Sequence, residues 1–214
     1  VYTLSLHDAL PICPTQQLEG DVEDTLDALV DAGYVGRSEE GYRFLRETER
    51  ELENEIKGIE VGPGDIRRSS KRFLNDILDE TSRVNYQGKT FQVNLSIDGE
   101  EITSKGHIDL KTYSPVYQRY EDLDPDGLKT QSFSEDGTLY WIADNEKQHD
   151  IYEKLKSIFQ INTVVKEKRG NELSQEEQEA LGQKQEDLQR LRNEVERAFK
   201  RSFQRGTLIY NGDT

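Results

Sequence analysis

Hydrophobic residues recur every three to four positions over several stretches of the chain, a spacing that predicts amphipathic helices. The first predicted helix covers Asp21 to Ala32 and ends at Gly33. A second runs from the capping-box pair Thr48 and Glu51 through Lys57, and a third runs from Asp65 to about Ser82. A later helix is indicated by four apolar residues, Ile151, Leu155, Ile158 and Phe159.

The period changes to two from Tyr86, which is typical of strands with one face in water. The alternating apolar residues are Phe91, Val93, Leu95 and Ile97, then Ile108, Leu110 and Thr112. Asp98-Gly99 predicts a hairpin turn, so we expect two or three antiparallel strands here. Ser114 to Ser134 is expected to be an irregular insertion, whereas Leu139 to Ile142 and Ile161 to Val165 are expected to be short strands.

A long helix is predicted near the C-terminus. It opens at a second capping box, Ser174 with Glu177, and extends about 30 residues to Gly206. Its apolar positions follow heptad spacing at first and drift towards 3.6 at Phe199 and Phe203, so we expect a coiled-coil-like or docking helix. The heptad set is Leu181, Leu188, Leu191, Val195 and Ala198. Thr207 to Tyr210 is expected to be a short strand.

These elements predict an α+β fold with a partial winged helix, a small antiparallel strand module with amphipathic helices, and a long C-terminal helix. The winged-helix interpretation rests on the first helix and the hairpin that follows it, from Tyr34 to Leu45. Five regions are expected. They are residues 1–13, a partial winged-helix element at 14–46, a helical connector at 47–83, a mixed strand and helix module at 84–170, and the long helix with a truncated strand at 171–214.

The first region does not resemble protein-coding sequence. Tyr2 to Ile12 matches the translation of a common sequencing-adapter oligonucleotide in one reading frame, and the next base of that adapter opens the codon for Cys13. The alternative is an amphipathic leader. The adapter match is the better explanation, and we therefore expect Val1 to Cys13 to contribute nothing to folding. The chain contains no Met, which favours an internal piece of a longer protein.

The composition restricts the partners. Forty-three acids against 28 bases give a net charge of −15, which disfavours broad binding to a phosphate backbone. DNA binding is therefore expected to be local and weak. No apolar run reaches about 18 residues, so no membrane span is expected. The single cysteine lies in the adapter-like segment, and we expect a reducing, cytoplasmic compartment.

Motifs for catalysis, metals and nucleotides fail on spacing. Gly88-Lys89-Thr90 resembles the end of a phosphate loop but lacks the earlier glycine. The acidic stretch Asp122 to Gly127 has Phe133 where a calcium loop requires Glu. His107 and His149 are isolated. We expect no enzymatic activity, cofactor or metal in this chain, and no binding or hydrolysis of ATP.

One basic cluster stands out in the acidic chain, at the start of the third helix. It consists of Arg67, Arg68, Lys71 and Arg72. Such a cluster is a candidate contact for phosphate or for an acidic partner surface. The alternative is pairing with nearby surface acids such as Glu60 and Asp76. The first helix is itself acidic and would repel DNA, which favours a structural winged helix.

Four segments carry a resemblance to a known family: LDALVDAGYVGRSEEGYRFLRETERELENEI, FQVNLSIDGEEI, LYWIADNE and LQRLRNEVERAFKRSFQRGTLIYNG. In this order they resemble the BrxC family, the large P-loop proteins of BREX phage-defence systems, over most of Leu18 to Gly212. The resemblance implies a non-catalytic region after the ATPase domain, which couples that domain to DNA or to other BREX subunits. The chain has no Walker residues, so the family's ATP site has no counterpart here.

Two other functions remain open on sequence alone. A winged helix with a dimerising C-terminal helix would suit a transcription regulator that binds DNA. A nuclease or other enzyme module has no supporting motif, since the Glu-x-Lys signal occurs only at Glu55 to Lys57, on a predicted helix.

Overall fold

The computed structural model describes residues 15–38, 41–78 and 83–214. The adapter-like segment, Val1 to Cys13, lies outside these residues. The chain divides into two compact units. Among the described residues, the first unit comprises those up to Gly58 together with 173–180, and the second comprises those from Ile59 to Glu172 together with 181–214.

The first unit contains two helices and a hairpin, which are α1 (Thr15–Asp31), β1 (Val35–Ser38), β2 (Gly41–Phe44) and α2 (Glu47–Gly58). The two strands pair antiparallel, with Val35 opposite Phe44. The predicted helix and hairpin are therefore confirmed. A helix followed by a hairpin does not by itself define a winged helix, so the winged-helix interpretation stays a prediction.

The start of α2 differs from the prediction. The backbone N–H of Arg46 donates to the Glu49 carboxylate at 2.8 Å, so Glu49 rather than Glu51 makes the reciprocal capping contact. The same carboxylate accepts two bonds of 2.8 Å from the Arg43 guanidinium, which ties β2 to α2. The hydroxyl of Thr48 instead lies 3.1 Å from a Glu176 carboxylate oxygen. The capping box predicted at Thr48 was wrong by two residues.

The second unit combines helices with a sheet of six strands. Its elements are α3 (Pro63–Leu78), β3 (Arg83–Tyr86), β4 (Lys89–Ile97), β5 (Glu100–Glu101), β6 (Ile108–Tyr113), α4 (Pro125–Ser134), β7 (Thr138–Ile142), α5 (Gln148–Lys168), α6 (Gln175–Gln204, of which Leu181 onward lies in this unit) and β8 (Thr207–Tyr210). The sheet order is β3-β4-β6-β7-β8, and β5 pairs with β4.

The sheet is mixed, so the prediction of an antiparallel module was wrong. β4 pairs parallel with β6, and β6 pairs parallel with β7. The pairs β3–β4, β4–β5 and β7–β8 are antiparallel. Alternation of apolar residues tells which face a side chain occupies, and it carries no information on the direction of the neighbouring strand.

A short crossover makes the parallel pairing of β4 and β6 possible. The Thr103 hydroxyl accepts from the Leu95 N–H at 2.8 Å and donates to the Val93 carbonyl at 2.9 Å, replacing backbone contacts along one edge of β4. The chain then passes over β4 at Gly106, whose N–H donates to the Asn94 side-chain oxygen. A Cβ on Gly106 would lie 2.4 Å from the Gln92 carbonyl oxygen, so only glycine fits this crossing.

The two faces of the sheet have different environments. Register places Leu95, Leu110 and the Trp141 side chain on one face, where α6 contacts Trp141 through Phe203. Leu95 and Leu110 are buried there. Asn94 on the opposite face of β4 is only half-buried. At the β7 and β8 end, that second face holds a small core of Tyr140, Ile142 and Ile209, which the partly buried Leu128 of α4 contacts.

Two further predictions were wrong in the second unit. Ser114 to Ser134 is not irregular throughout, because Asp124 caps α4 by accepting from the Asp126 N–H at 3.1 Å, and Pro125 follows at the first helical position. Ile161 to Val165 is not a strand and lies within α5. Ile161, Val164 and Val165 are buried, so they extend the helical apolar stripe of that helix.

The predicted capping box of α6 is confirmed, since the Ser174 N–H donates to the Glu177 carboxylate at 2.8 Å. The apolar stripe of α6 packs within the chain. Val195, Phe199 and Phe203 are almost fully buried, and the Phe199 ring lies 6.4 Å from that of Phe73 in α3. The docking interpretation therefore agrees with the structure, whereas the coiled-coil interpretation has no support. No helix in the described ranges is long and apolar enough to cross a membrane.

Candidate functional site

The basic cluster lies in the first half of α3, whose start is fixed by its own sequence. Pro63 occupies the first helical position, and the Gly62 N–H donates to the Asp65 carboxylate at 3.0 Å. This is a capping contact at the helix N-terminus. Ile66, Leu74 and Leu78 are buried on the inner face of α3, so the cationic residues between them project from its outer side.

Helical spacing brings Arg67 and Lys71 to one carboxylate. Residues four apart lie on the same side of a helix, and both cations are paired with Glu100 of β5. The hydrogen bond from Lys71, with the charges of both cations, lowers the pKa of Glu100. Arg68 is paired with Asp65 of its own helix.

The structure thus brings the four predicted residues together on one exposed flank, which we call the α3 basic flank. Their partners are Glu100 and Asp65 rather than the Glu60 and Asp76 suggested by the sequence. Arg72 is exposed and makes no ion pair with the residues that the structure describes. Among the described residues, the four cations of the cluster therefore form ion pairs with two carboxylates, those of Glu100 and Asp65.

A cavity of about 300 Å³ adjoins the α3 basic flank at the carboxyl ends of β4 and β6. Arg67 and Arg119 supply guanidinium groups to its wall, and Tyr117 and Tyr152 supply aromatic rings. The other lining residues are Pro63, Ile66, Ser70, Asp98, Gly99, Val116 and Gln118. No sequence motif indicates this cavity, because its wall combines α3, α5 and two loops that are distant in sequence.

A partly buried carboxylate, that of Asp98, holds one wall of that cavity. Asp98 accepts from both the N–H and the hydroxyl of Ser114, each at 2.7 Å. Burial raises the pKa of Asp98, and the two bonds from Ser114 oppose that effect. The contact joins the β4–β5 turn to the end of β6, so it fixes the adjoining loops in place.

A second polar cluster lies on the other face of the sheet. Lys111 of β6 donates to the Glu135 carboxylate at 2.8 Å, and the Tyr140 hydroxyl donates to the same oxygen at 2.8 Å. The bond from Lys111, followed by those from the Gln131 amide and the Tyr140 hydroxyl, lowers the pKa of Glu135 to about 2. Glu135 is the C-cap residue of α4, so the cluster joins the end of α4 to two parallel strands. No motif indicates it, because the three residues are brought together only by strand register.

The motifs that failed on spacing have structural explanations here. Gln87 and Gly88 form the turn between β3 and β4, with φ values of 49° and 75°. Asp124, at the centre of the acidic stretch, is the N-cap of α4. Within the described part of the chain, no group of three or more His, Cys, Asp or Glu side chains is arranged to hold a metal ion.

The fold and these surfaces define an α+β domain with a mixed six-stranded sheet and a long docked C-terminal helix. Residues 60–214, well over half of the chain, match the family model described as "BREX ATP-binding protein BrxC 4th domain with six-stranded beta sheet". The chain belongs to this family, and the resemblance predicted from the sequence is confirmed. No curated protein and no solved structure matches the chain.

Proposed function

We propose that this chain is a non-catalytic coupling region of a BREX phage-defence ATPase, linking a P-loop ATPase domain elsewhere in the protein to DNA or to partner subunits. The observation that carries the proposal is the family match over residues 60–214, since that family is a domain of an ATP-binding protein. The partners would be other BREX subunits or the rest of its own chain.

The α3 basic flank is the contact that we propose for such a partner. Ion pairs between exposed side chains contribute little stability in water, so the pairs with Glu100 and Asp65 can be exchanged for a partner's carboxylates or phosphates at small cost. The exposed fractions support this exchange, since the side chains of Arg67 and Arg68 are 52% and 75% exposed. A partner would bind the cations that the domain already holds in position.

The transcription-regulator alternative is less well supported. It requires an apolar face of α6 for dimerisation, and Val195, Phe199 and Phe203 are buried within the chain itself. It also requires a helix that can approach DNA, whereas Asp21, Glu23 and Asp24 are all exposed on α1. Like charges of this kind oppose the approach of a phosphate backbone.

The test is a binding assay between the full chain and each of the other BREX subunits, with the ATPase domain supplied separately. Changing all four residues of the α3 basic flank to Ala should weaken capture of at least one partner by about tenfold. A matched control changes four exposed cations on α5 and α6 to Ala, namely Lys166, Arg190, Arg197 and Lys200. Capture of every partner to the same extent by both variants would contradict the proposed contact.

A second measurement addresses the lack of catalysis. We expect the chain alone to release no phosphate from ATP and to give no saturable binding of a fluorescent ATP analogue. Micromolar binding that is lost in Lys89→Ala would overturn this part of the proposal.

A further inference from the structure

The acidic residues of this chain are unevenly distributed. They make up 43 of 214 residues, about one in five, yet residues 83–97 and 102–108 contain none. These two segments contain Arg83, Lys89, Lys105 and His107. They form β3, β4 and the crossover that leads to β6. The two segments thus carry three cationic residues and no acid, and the acids Asp98, Glu100 and Glu101 lie in the turn and short strand between them.

The hairpin of β3 and β4 extends beyond the core. All four residues of β3 are exposed, as are Lys89 and Thr90 at the start of β4. The Tyr86 side chain beside the turn is 63% exposed. The Thr90 hydroxyl bonds to the Asn85 side-chain oxygen at 2.7 Å, which ties the two strands together near the turn. The hairpin therefore presents cations and an aromatic ring to solvent on a regular backbone.

A groove of about 370 Å³ lies between this hairpin and the crossover. Its wall carries two cationic side chains, from Arg83 and Lys105, and no carboxylate. The remaining lining residues are Gln92, Val93, Ile102, Thr103 and Ser104. The crossover side of the groove is fixed, because Thr103 bonds to both Val93 and Leu95 and because Asn94 bonds to Gly106. Arg83 is thus held by β3, and Lys105 is held by a crossover that is bonded to β4.

The electrostatic state of the groove differs from that of the α3 basic flank. There, Arg67 and Lys71 share the Glu100 carboxylate. In the described part of the chain, neither Arg83 nor Lys105 forms an ion pair with a carboxylate. The nearest acid on the neighbouring strand, Asp109, is held by the Asn94 amide at 2.7 Å. Beside the apolar Val93 and Ile102, the residues that line the groove offer an anion two cations, two hydroxyls and an amide.

We propose that this groove and the β3–β4 hairpin bind the phosphodiester backbone of a nucleic acid, with Arg83 and Lys105 contacting phosphates and Lys89 and Tyr86 contacting the strand beside the turn. Unpaired cations release counterions when they contact phosphates, and an exposed tyrosine can stack on a base. The inference deepens the DNA part of the proposed function and assigns that role to a surface separate from the α3 basic flank.

The experiment measures fluorescence anisotropy of labelled 20-nucleotide single-stranded DNA and of the matching duplex, each titrated with the full chain at several salt concentrations. Arg83→Gln with Lys105→Gln should weaken binding on the order of tenfold and should lower the slope of log K against log salt by about 1.4 for the single strand or 1.8 for the duplex. Tyr86→Ser should weaken binding of the single strand more than that of the duplex. Whichever of the two DNAs, single-stranded or duplex, binds more tightly is the kind of nucleic acid that the groove prefers.

Two control variants show whether the loss of binding belongs to this groove. Lys156→Gln with Lys166→Gln removes the same charge from α5 and should leave both affinities within about twofold. Changing the α3 basic flank to Ala should reduce capture of partner subunits without abolishing DNA binding. Unchanged affinity in the Arg83 and Lys105 variant, or no DNA binding at all at low salt, would overturn the groove assignment. Neither result would change the capture of protein partners, and that capture is the measurement that tests the coupling proposal.

Discussion

The Trp141 ring meets the Phe203 ring edge to face, with centroids 5.1 Å apart, and the Trp141 indole N–H donates to the Phe203 carbonyl at 3.1 Å. One strand residue thus contacts both the side chain and the main chain of the last turn of α6. The adjoining Ser202 carbonyl accepts from the Asp144 N–H at 2.9 Å. The end of the long helix is joined to the sheet by aromatic packing and by backbone bonds.

Removing the aromatic part of this contact should destabilise the second unit strongly. Phe203 is 3% exposed, and truncation of a buried Phe to Ala costs about 3–5 kcal/mol. Phe133→Ala is the matched control, because Phe133 is 73% exposed and its truncation should cost less than about 1 kcal/mol. Urea unfolding measures both variants, and hydrogen exchange over Leu188 to Phe203 should rise in Phe203→Ala alone. Equal effects of the two substitutions would show that α6 is not docked as described.

Glu135 should make stability depend on pH at the acidic end. Its pKa falls from 4.5 to about 2 in the folded chain, chiefly through the bond from Lys111. A depressed carboxyl pKa contributes stability above pH 4.5 that is lost as the pH falls towards 2. Glu135→Gln should therefore cost about 1 kcal/mol at neutral pH, since the side chain is partly exposed, and should flatten the loss of stability between pH 4.5 and 2. Denaturant melts across this range check the prediction, with the exposed Glu167→Gln as control. If Glu135→Gln lost as much stability between pH 4.5 and 2 as the parent chain, the prediction would be wrong.

Asp98 should make stability depend on pH in the opposite direction from Glu135. Burial raises the pKa of its carboxyl above 3.8, so the folded state binds the proton more tightly than the unfolded state. Stability then falls as the pH rises through the interval between the two pKa values. Asp98→Asn removes this ionisation, and Asn tolerates the left-handed backbone at φ 52°. The variant should be at least as stable as the parent at pH 7 and should lose any advantage below pH 3.8. Thermal melts at pH 3 and pH 7 measure the difference, and a marked loss at pH 7 would show that the charge itself is needed.

Gly106 should not tolerate even a methyl group. A Cβ there would meet the Gln92 carbonyl at 2.4 Å and the Asn94 nitrogen at 2.6 Å, both backbone atoms of β4. Gly106→Ala should therefore cost about 2 kcal/mol or more, within the range for mutations that force backbone shifts. Gly182→Ala in α6 is the control, because nothing lies within 4 Å of its Cβ position and alanine favours helix by up to about 1 kcal/mol. The two free energies of unfolding should change in opposite directions. A neutral Gly106→Ala would mean that the crossover does not pass β4 this closely.

The sequence predicts most helices of this fold because their apolar spacing extends over several turns. α5 is the instructive exception, since the run from Ile161 to Val165 predicts a strand where the helix continues. β-branched residues favour strands locally, and the burial of that stripe against the rest of the unit overrides the preference. α4 is not predicted for a related reason, because Asp124-Pro125 is typical both of a turn and of a helix start.

The direction of the strands and the polar clusters could not be predicted in the same way. Leu95 and Leu110 share an alternating pattern that correctly predicts strands, but nothing in that pattern states that these strands run parallel. Glu135 reaches Lys111 only through that parallel register, so the cluster has no local signature. The α3 basic flank was predictable as a group because its four residues lie within two turns of one helix. Its partner Glu100 was not, because β5 lies beyond a hairpin.

The antiparallel pairing of β7 with β8 has a consequence for synthesis of the chain on the ribosome. Ile142 is made 65 residues before its partner Thr207. At 5–20 residues per second, the free edge of β7 waits roughly 3–13 s for its neighbour. That edge carries Leu139, Tyr140 and Trp141, an apolar strand of the kind that pairs with other chains when left open. The nascent domain is therefore open to misassembly at this edge during the interval, and translation speed between the two strands should influence its yield.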